Sequence, residues 1–410
     1  MNSLDKFMES NESGYLHIGH ASGLLRIKGK LILFDPCWNY RPFSEYWSLV
    51  PEQINCDHIL DKIDMCIVSH IHDDHYTDKI LNKLKCPVIV MIGRDDLTAK
   101  LRSFGADVIE VYPEVAFRTF LGIDLYFLKS SFNKVDSSVF VYTKNFGFYH
   151  GNDNFVSKEQ IREARKYIPH VSLATIPYAY LNWYPENMLN LTREQKDAEN
   201  DRLTMKLLDH AEMLIEEIDP HYVIPSAANL YYNDTYNSPF NEQGLTPWEF
   251  KKVTKYHDKV ITFSPGDYVL GNEVYIGRTE QEYMEEISKN LEQNKPKQLY
   301  IDCYFKVEHL RRLQEKVDKA TLSIPNHEII FVINNLHNLV IDIEKKTVRS
   351  DFEKIFNKDY TMIFMEPYQL MKWLEGEMTY EQVVATRKFK MLRIPDIYNV
   401  DVFQYMLNFL

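Results

Sequence analysis

The chain has 410 residues, of which 45% are hydrophobic and 26% charged, with 47 Lys and Arg against 59 Asp and Glu and a formal net charge of −12. That apolar content is ample for a core and excludes a disordered chain, and 14 Gly and 17 Pro exclude a collagen-like or low-complexity one. The acidic balance argues against nucleic acid as a main partner but not against a small anionic substrate, because a bound metal supplies local positive charge. At ~100–200 residues per domain the length predicts two domains.

The five cysteines, Cys37, Cys56, Cys66, Cys86 and Cys303, are isolated and odd in number. No disulfide framework or four-Cys zinc site is expected, and a reducing compartment is. Met1 to Gly14 has no apolar segment of a secretory signal, and no run reaches the ~20 apolar residues of a membrane span. These features predict a soluble, cytoplasmic protein.

In chain order, Tyr15 to Pro36 predicts strand, turn, strand, with Gly29-Lys30 turning Leu24–Ile27 into Leu31–Phe34. Asp64 to Val68 is a short apolar run and predicts a buried strand. Tyr76 to Leu84 predicts a helix, Pro87 to Ile92 a strand, Asp95 to Phe104 a helix and Asp107 to Val111 a strand, which implies a layered α/β core. Ala116–Phe120, Ile123–Leu128, Ser137–Tyr142 and Phe146–His150 predict hairpin strands. Glu194 to Ile218 is the longest helical segment. Val260–Phe263 and Tyr268–Leu270 predict strands around Pro265-Gly266. Asn294-Lys295-Pro296-Lys297 is the best linker, so domains are expected over 15–295 and 297–410. The second carries strands Glu328–Ile333, Leu336–Asp342 and Lys346–Ser350, then helices.

One segment carries chemistry: Ser69-His70-Ile71-His72-Asp73-Asp74-His75, an H-x-H-x-D-H pattern between a predicted strand and a predicted helix. Such a turn points His70 and His72 at one spot, and the helical start turns Asp74 and His75 toward a second. Imidazole and carboxylate donors suit Zn, Fe or Mn.

This segment resembles the metallo-β-lactamase superfamily. The resemblance, over about Tyr15 to Leu270, implies a four-layered αββα sandwich with a one- or two-metal site at one edge of the sheets. It implies that His70 and His72 serve one metal and that Asp74 and His75 serve the other. It also implies a bridging Asp after a later strand, which makes Asp153 in Gly151-Asn152-Asp153 the candidate; otherwise Asp153 is a turn residue. His150 is either a partner of a ligand or an ordinary β residue. Asp35, at a strand end, is a candidate to hydrogen-bond a ligating His. His20 is a candidate catalytic residue over the cleft, with Asp74, or else a structural His. Tyr178, Tyr180, Trp183 and Tyr184 are candidates to cover a substrate or else a packed loop. Asn229 is a further cleft candidate. Lys306, Arg311 and Arg312 are expected on a solvated helix face.

Two ligands of hydrolytic members are missing. Ser131 to Ser138, where they carry a His, has none, and neither does the late loop Pro225-Ser226-Ala227-Ala228-Asn229. Asp35-Pro36-Cys37-Trp38, Arg41-Pro42-Phe43, Tyr46-Trp47-Ser48-Leu49, Val260 to Gly266 and Arg393 to Tyr398 resemble CMP-N-acetylneuraminate hydroxylases, which also lack the late His. Those enzymes carry a Rieske centre, which needs two Cys and two His. The fourteen residues before Tyr15 contain neither, so no such domain is expected there. Residues 297 to 410 resemble a sterol-carrier-protein-like α+β domain. Together these features predict two divalent ions, Fe or Zn and otherwise Mn, and a small polar substrate. The chemistry expected first is an iron-dependent oxygenase, with a separate ferredoxin or the substrate supplying electrons. A zinc hydrolase is the alternative.

Overall fold

The computed structural model describes residues 2–43, 46–93, 95–131, 136–179, 181–228, 230–232, 240–241, 243–293, 306–333, 337–351, 358–397 and 400–407. The expected linker Asn294–Lys297, Cys303, Tyr180 and Asn229 lie outside them. The chain divides into two compact units. The first holds Met1–Leu181, Arg202–Tyr232 and Gln243–Lys295, and the second holds Asn182–Asp201, Asn233–Glu242 and Pro296–Leu410.

The strands of the first unit are β1 Gly14–Gly19, β2 Ser22–Ile27, β3 Lys30–Phe34, β4 Trp47–Leu49, β5 Met65–Ile67, β6 Val88–Met91, β7 Val108–Val111, β8 Phe117–Arg118, β9 Asp124–Lys129, β10 Ser137–Tyr142, β11 Gly147–His150, β12 Leu173–Pro177, β13 Tyr222–Ser226, β14 Leu230–Tyr232, β15 Tyr268–Leu270 and β16 Glu273–Tyr275. Eight of them form one sheet in the order β16-β15-β1-β2-β3-β5-β6-β7, and six form a second in the order β13-β12-β11-β10-β9-β8. Leu25, Ile67, Phe127, Val141 and Phe148 pack between the sheets. Leu33, Val68, Ile80 and Leu101 pack on the outer face of the first sheet, and Ile161, Ala211, Leu214 and Phe250 on that of the second. Both faces of each sheet are therefore covered, which is why β1, β2 and β10 are buried throughout instead of alternating. Two sheets packed face to face between helical layers match the layered α/β sandwich expected from the sequence.

The expected β2–β3 hairpin forms, with its turn one residue earlier than read, at Lys28-Gly29 instead of Gly29-Lys30. Lys28 and Gly29 both take positive φ, 52° and 71°, the left-handed pair that a two-residue hairpin between β2 and β3 requires. The expected strand Val260–Phe263 is not one: Val260 makes only an isolated bridge to Val223. The expected helix after the His-rich turn shrinks to Asp78–Leu81, capped by the Thr77 side chain. No helix among the described residues is long and apolar enough to cross a membrane.

The second unit is α+β. Its strands β17 His327–Ile333, β18 His337–Asp342, β19 Thr347–Asp351, β20 Asp359–Met365 and β21 Phe389–Ile394 form a sheet ordered β19-β18-β17-β20-β21, with β17 and β20 parallel. Leu313, Val317, Phe331, Ile341, Leu370 and Trp373 belong to its core. The narrower sterol-carrier likeness is not confirmed by this arrangement.

Candidate metal centre

The centre is built where β1, β3, β5, β11 and the approach to β10 end. β5 stops at Ile67, and Ser69 is then tied to β3, its N–H donating to Asp35 Oδ1 (2.8 Å) and its hydroxyl to Asp35 Oδ2 (2.9 Å). Ser137 Oγ donates to Ser69 O (2.7 Å), fixing the same turn to the second sheet. The chain then folds back, with His75 N donating to His72 O (3.1 Å) and Thr77 N to Pro36 O (3.1 Å). This tight path brings the rings of His70, His72 and His75 together, with centroids 4.4 Å apart for His70–His72 and 4.0 Å for His70–His75.

Asp153 reaches the cluster from the end of β11. Gly151 passes so close to Thr175 O that a Cβ there would lie 2.7 Å from it, so glycine is required. Asn152, at φ 40°, donates from Nδ2 to Ser137 O (2.6 Å) and accepts from Asp153 N (2.6 Å). That pinned turn sets Asp153 Oδ2 3.4 Å from His75 Nε2 and 3.9 Å from His70 Nε2. Asp74 Oδ2 lies 3.8 Å from His75 Nε2, and His20 Nε2 lies 3.0 Å from the same Asp74 oxygen.

Asp136 is the residue that sequence reasoning missed. It immediately precedes β10, in the stretch examined for a missing His, and places Oδ1 4.0 Å from His70 Nε2. A search for any metal-ligating type, carboxylate included, would have found it. Among the described residues, three groups have donor atoms within 4.8 Å of one another: His70, His72 and Asp136; His20, Asp74 and His75; and His70, His75 and Asp153. Each is two imidazoles and one carboxylate.

Asp35 is wholly buried and holds His75 by Nδ1 (3.0 Å) and His150 by Nε2 (2.9 Å). This bond turns His75 so that Nε2 faces the cluster. His150 bonds through Nδ1 to Thr175 Oγ1 (3.1 Å), so both its nitrogens are engaged and it is a partner of Asp35 rather than a ligand. Burial would push the His75 imidazole down, but Asp153, Asp74 and Asp35 outweigh it and raise it well above its ordinary value. Burial would push Asp35 and Asp74 up, yet the facing histidines hold both well below the usual carboxylate range. Even so, His75 Nε2 and Asp74 Oδ1 are buried without a hydrogen-bond partner. Unsatisfied buried donors and acceptors are costly, and a divalent ion would satisfy both. The residues present therefore fit metal ions.

Other candidates serve elsewhere. Tyr178 is buried in the first unit's core, its ring 5.8 Å from Phe250, and does not line an open cleft. Trp183 is spent on the second unit's core, tilted on Phe389 at 5.7 Å, with Tyr184 packed beside that core. Arg311 and Arg312 are paired with Glu308 on the helix Val307–Lys319, a solvated face, and Lys306 precedes it. Burial pushes the Cys37, Cys56, Cys66 and Cys86 thiols up, which disfavours thiolate ligands. A separate cavity of about 970 Å³, lined among others by Lys28, Arg118, Tyr142, Tyr167, His170 and His221, shares no residue with the cluster.

No protein-family model and no curated protein sequence matches the chain. Among solved structures it is similar to Igni18, a metallo hydrolase from Ignicoccus hospitalis, with 17% identity, TM-score 0.43 and coverage of 63% of this chain and 97% of that one. It is also similar to CmlA, a diiron β-hydroxylase from Streptomyces venezuelae, with 17% identity, TM-score 0.40 and coverage of 53% of this chain and 45% of that one. An isothiocyanate hydrolase from Delia radicum gut bacteria shares 14% identity, TM-score 0.40, over 62% of this chain and 98% of that one. These likenesses do not extend to CMP-N-acetylneuraminate hydroxylase in particular.

Proposed function

We propose that the first unit is a metal-dependent enzyme of the metallo-β-lactamase fold, an iron-dependent oxygenase acting on a small polar metabolite. The observation that carries this reading is the set His70, His72 and Asp136. Where a zinc hydrolase of this pattern would carry a third imidazole, this chain offers a carboxylate, and two His with one carboxylate is the donor set of non-haem iron oxygenases. His70, His72 and Asp136 would hold one ion and Asp74 and His75 the other, with Asp153 between them. Iron held there would supply dioxygen activation.

The chain's own residues have four roles. Asp35 fixes the ring plane of His75, and Ser69 Oγ, 2.9 Å from His70 Nδ1, fixes that of His70. Asp153, the more exposed carboxylate with its side chain 35% accessible, faces the open side where a substrate would enter. Its charge also screens the repulsion between two divalent ions, which is strong in a partly buried site. Electrons would come from the substrate or from a separate donor.

A zinc hydrolase is the second reading, favoured by the intact His70-x-His72-x-Asp74-His75 run; zinc held there would supply a hydroxide nucleophile near neutral pH. The test is dioxygen uptake by the iron-loaded protein against a panel of small polar metabolites with a chemical reductant. Substrate-dependent uptake supports the oxygenase. Metabolite or ester hydrolysis by the zinc-loaded protein, with no uptake for any compound, supports the hydrolase.

A further inference from the structure

We propose that His20 is a ligand of the second metal ion, supplying from the end of β1 the imidazole that the late loop lacks; this deepens the two-metal reading above and rests on it. The end of β13 and the turn after it, Pro225-Ser226-Ala227-Ala228, carry no donor imidazole. Yet Ala227 N donates to His20 O (3.2 Å), so the main chain of His20 is docked on the segment in which hydrolytic relatives carry the ligand. The end of β1, in the other sheet, supplies the imidazole that the end of β13 lacks.

The backbone is shaped for this. His20 takes φ 52°, a left-handed conformation uncommon for a residue with a side chain, immediately after Gly19 at φ 139°. The chain turns there between β1 and β2, and the ring is carried inward to 1% exposure. Its Nε2 comes 3.0 Å from Asp74 Oδ2, and the ring lies 5.6 Å from that of His75, edge to face. His20, Asp74 and His75 each offer one donor atom within 4.8 Å of the others.

The rival role for His20 is a strut that only hydrogen-bonds Asp74. A strut engages one oxygen of Asp74 and leaves Asp74 Oδ1 and His75 Nε2 buried without a hydrogen-bond partner, His75 Nε2 only facing Asp153 Oδ2 at 3.4 Å. A cation held by His20, Asp74 and His75 satisfies all three residues, and the set becomes two His and one carboxylate, as on the first ion. Occupancy of the second ion is then coupled to the β1–β2 turn, an element far in sequence from the His-rich motif.

The experiment is anaerobic titration of the metal-free, full-length protein with Co²⁺, followed by calorimetry and by the visible d–d bands, for wild type, His20→Gln and His20→Ala. Glutamine reaches Asp74 with an amide and preserves a strut, but is a poor metal donor. Near-UV circular dichroism of the metal-free variants checks folding, and His20→Gln decides if His20→Ala does not fold. Wild type should take up two ions. Both variants should lose more than ~100-fold in affinity at one site, beyond the ~10–100-fold typical of losing an outer hydrogen-bond partner, with the d–d bands of that site changed and the other site intact. Two ions bound by His20→Gln at wild-type affinity would overturn the proposal while leaving the two-metal reading standing. Fewer than two ions in wild type would overturn the two-metal reading itself.

Discussion

The two units bury charge in different ways. In the second, Asp342 meets Lys358 at 3.0 Å and Glu328 meets Arg349 at 3.0 Å, carboxylates answered by permanent cations. In the first, the groups that hold Asp35 and Asp74 are imidazoles: His75 and His150 for one, His20 and His75 for the other. A Lys or Arg pair is complete in itself and needs no further ion. An imidazole gives up its proton when a metal arrives, so a His–carboxylate cluster is a store of ligands rather than a finished salt bridge. A cluster of buried carboxylates held by imidazoles is therefore where chemistry is to be sought; the second unit's His309–Glu375 contact at 3.2 Å is a lone pair with a partly exposed carboxylate.

The largest expected effect is on that cluster. His70→Ala or His72→Ala should lower metal affinity by more than ~100-fold, above the cost of losing an outer partner, with the metal-free protein still folded because the sandwich core does not depend on the site. Full metal stoichiometry by elemental analysis in both variants would remove the site assignment. Next comes a difference between two variants. On the proposed assignment, Asp153→Ala would remove a carboxylate shared by both ions, and His75→Ala one donor of a single ion. Calorimetric metal titration should show Asp153→Ala losing two-metal occupancy more completely, and two full-affinity sites in that variant would reduce Asp153 to a turn residue.

The contrasting change lies in the second unit. Leu370 is fully buried in its core. Leu370→Ala should lower that unit's stability by about 2–5 kcal/mol in denaturant unfolding while leaving metal stoichiometry unchanged. A lost metal ion in this variant would break the separation drawn between the units.

A further effect is one of pH. Burial, with a contribution from His20, lowers the His17 imidazole to about 3. The native state refuses a proton that the unfolded chain accepts near its ordinary 6.5. Stability from this group is therefore complete above about pH 6.5 and is lost as pH falls from there toward about 3. In the metal-free protein, His17→Leu should flatten that part of the acid stability profile. An unchanged slope would mean that His17 is protonated in the native state.

What the sequence shows and what it hides follow from the range of the interactions. The His70–His75 run is local, so its chemistry is legible at once, and so is the hairpin at Gly29, although its turn pair is Lys28-Gly29 and not the expected Gly29-Lys30. Asp35 is legible as a strand-end residue, but its hold on both His75 and His150 depends on β3 and β11 meeting across the two sheets. Asp136 is legible only as a carboxylate in the stretch where a ligand was expected; its place beside His70 depends on β10 starting next to Ser69. Trp183 misleads for the same reason. It sits in a polar aromatic loop that reads as a cleft cover, while its partner Phe389 is two hundred residues away and no periodicity links them. The Val260–Phe263 run is apolar enough for a strand, yet only Val260 bridges a neighbour, so burial and not pairing explains its composition.

The most direct test of the account is metal analysis, with an optical spectrum, of protein purified without oxygen. The account predicts close to two iron ions per chain, an absorption that changes when oxygen is admitted, and loss of both in His70→Ala. A colourless protein that holds stoichiometric zinc and whose spectrum ignores oxygen would contradict it.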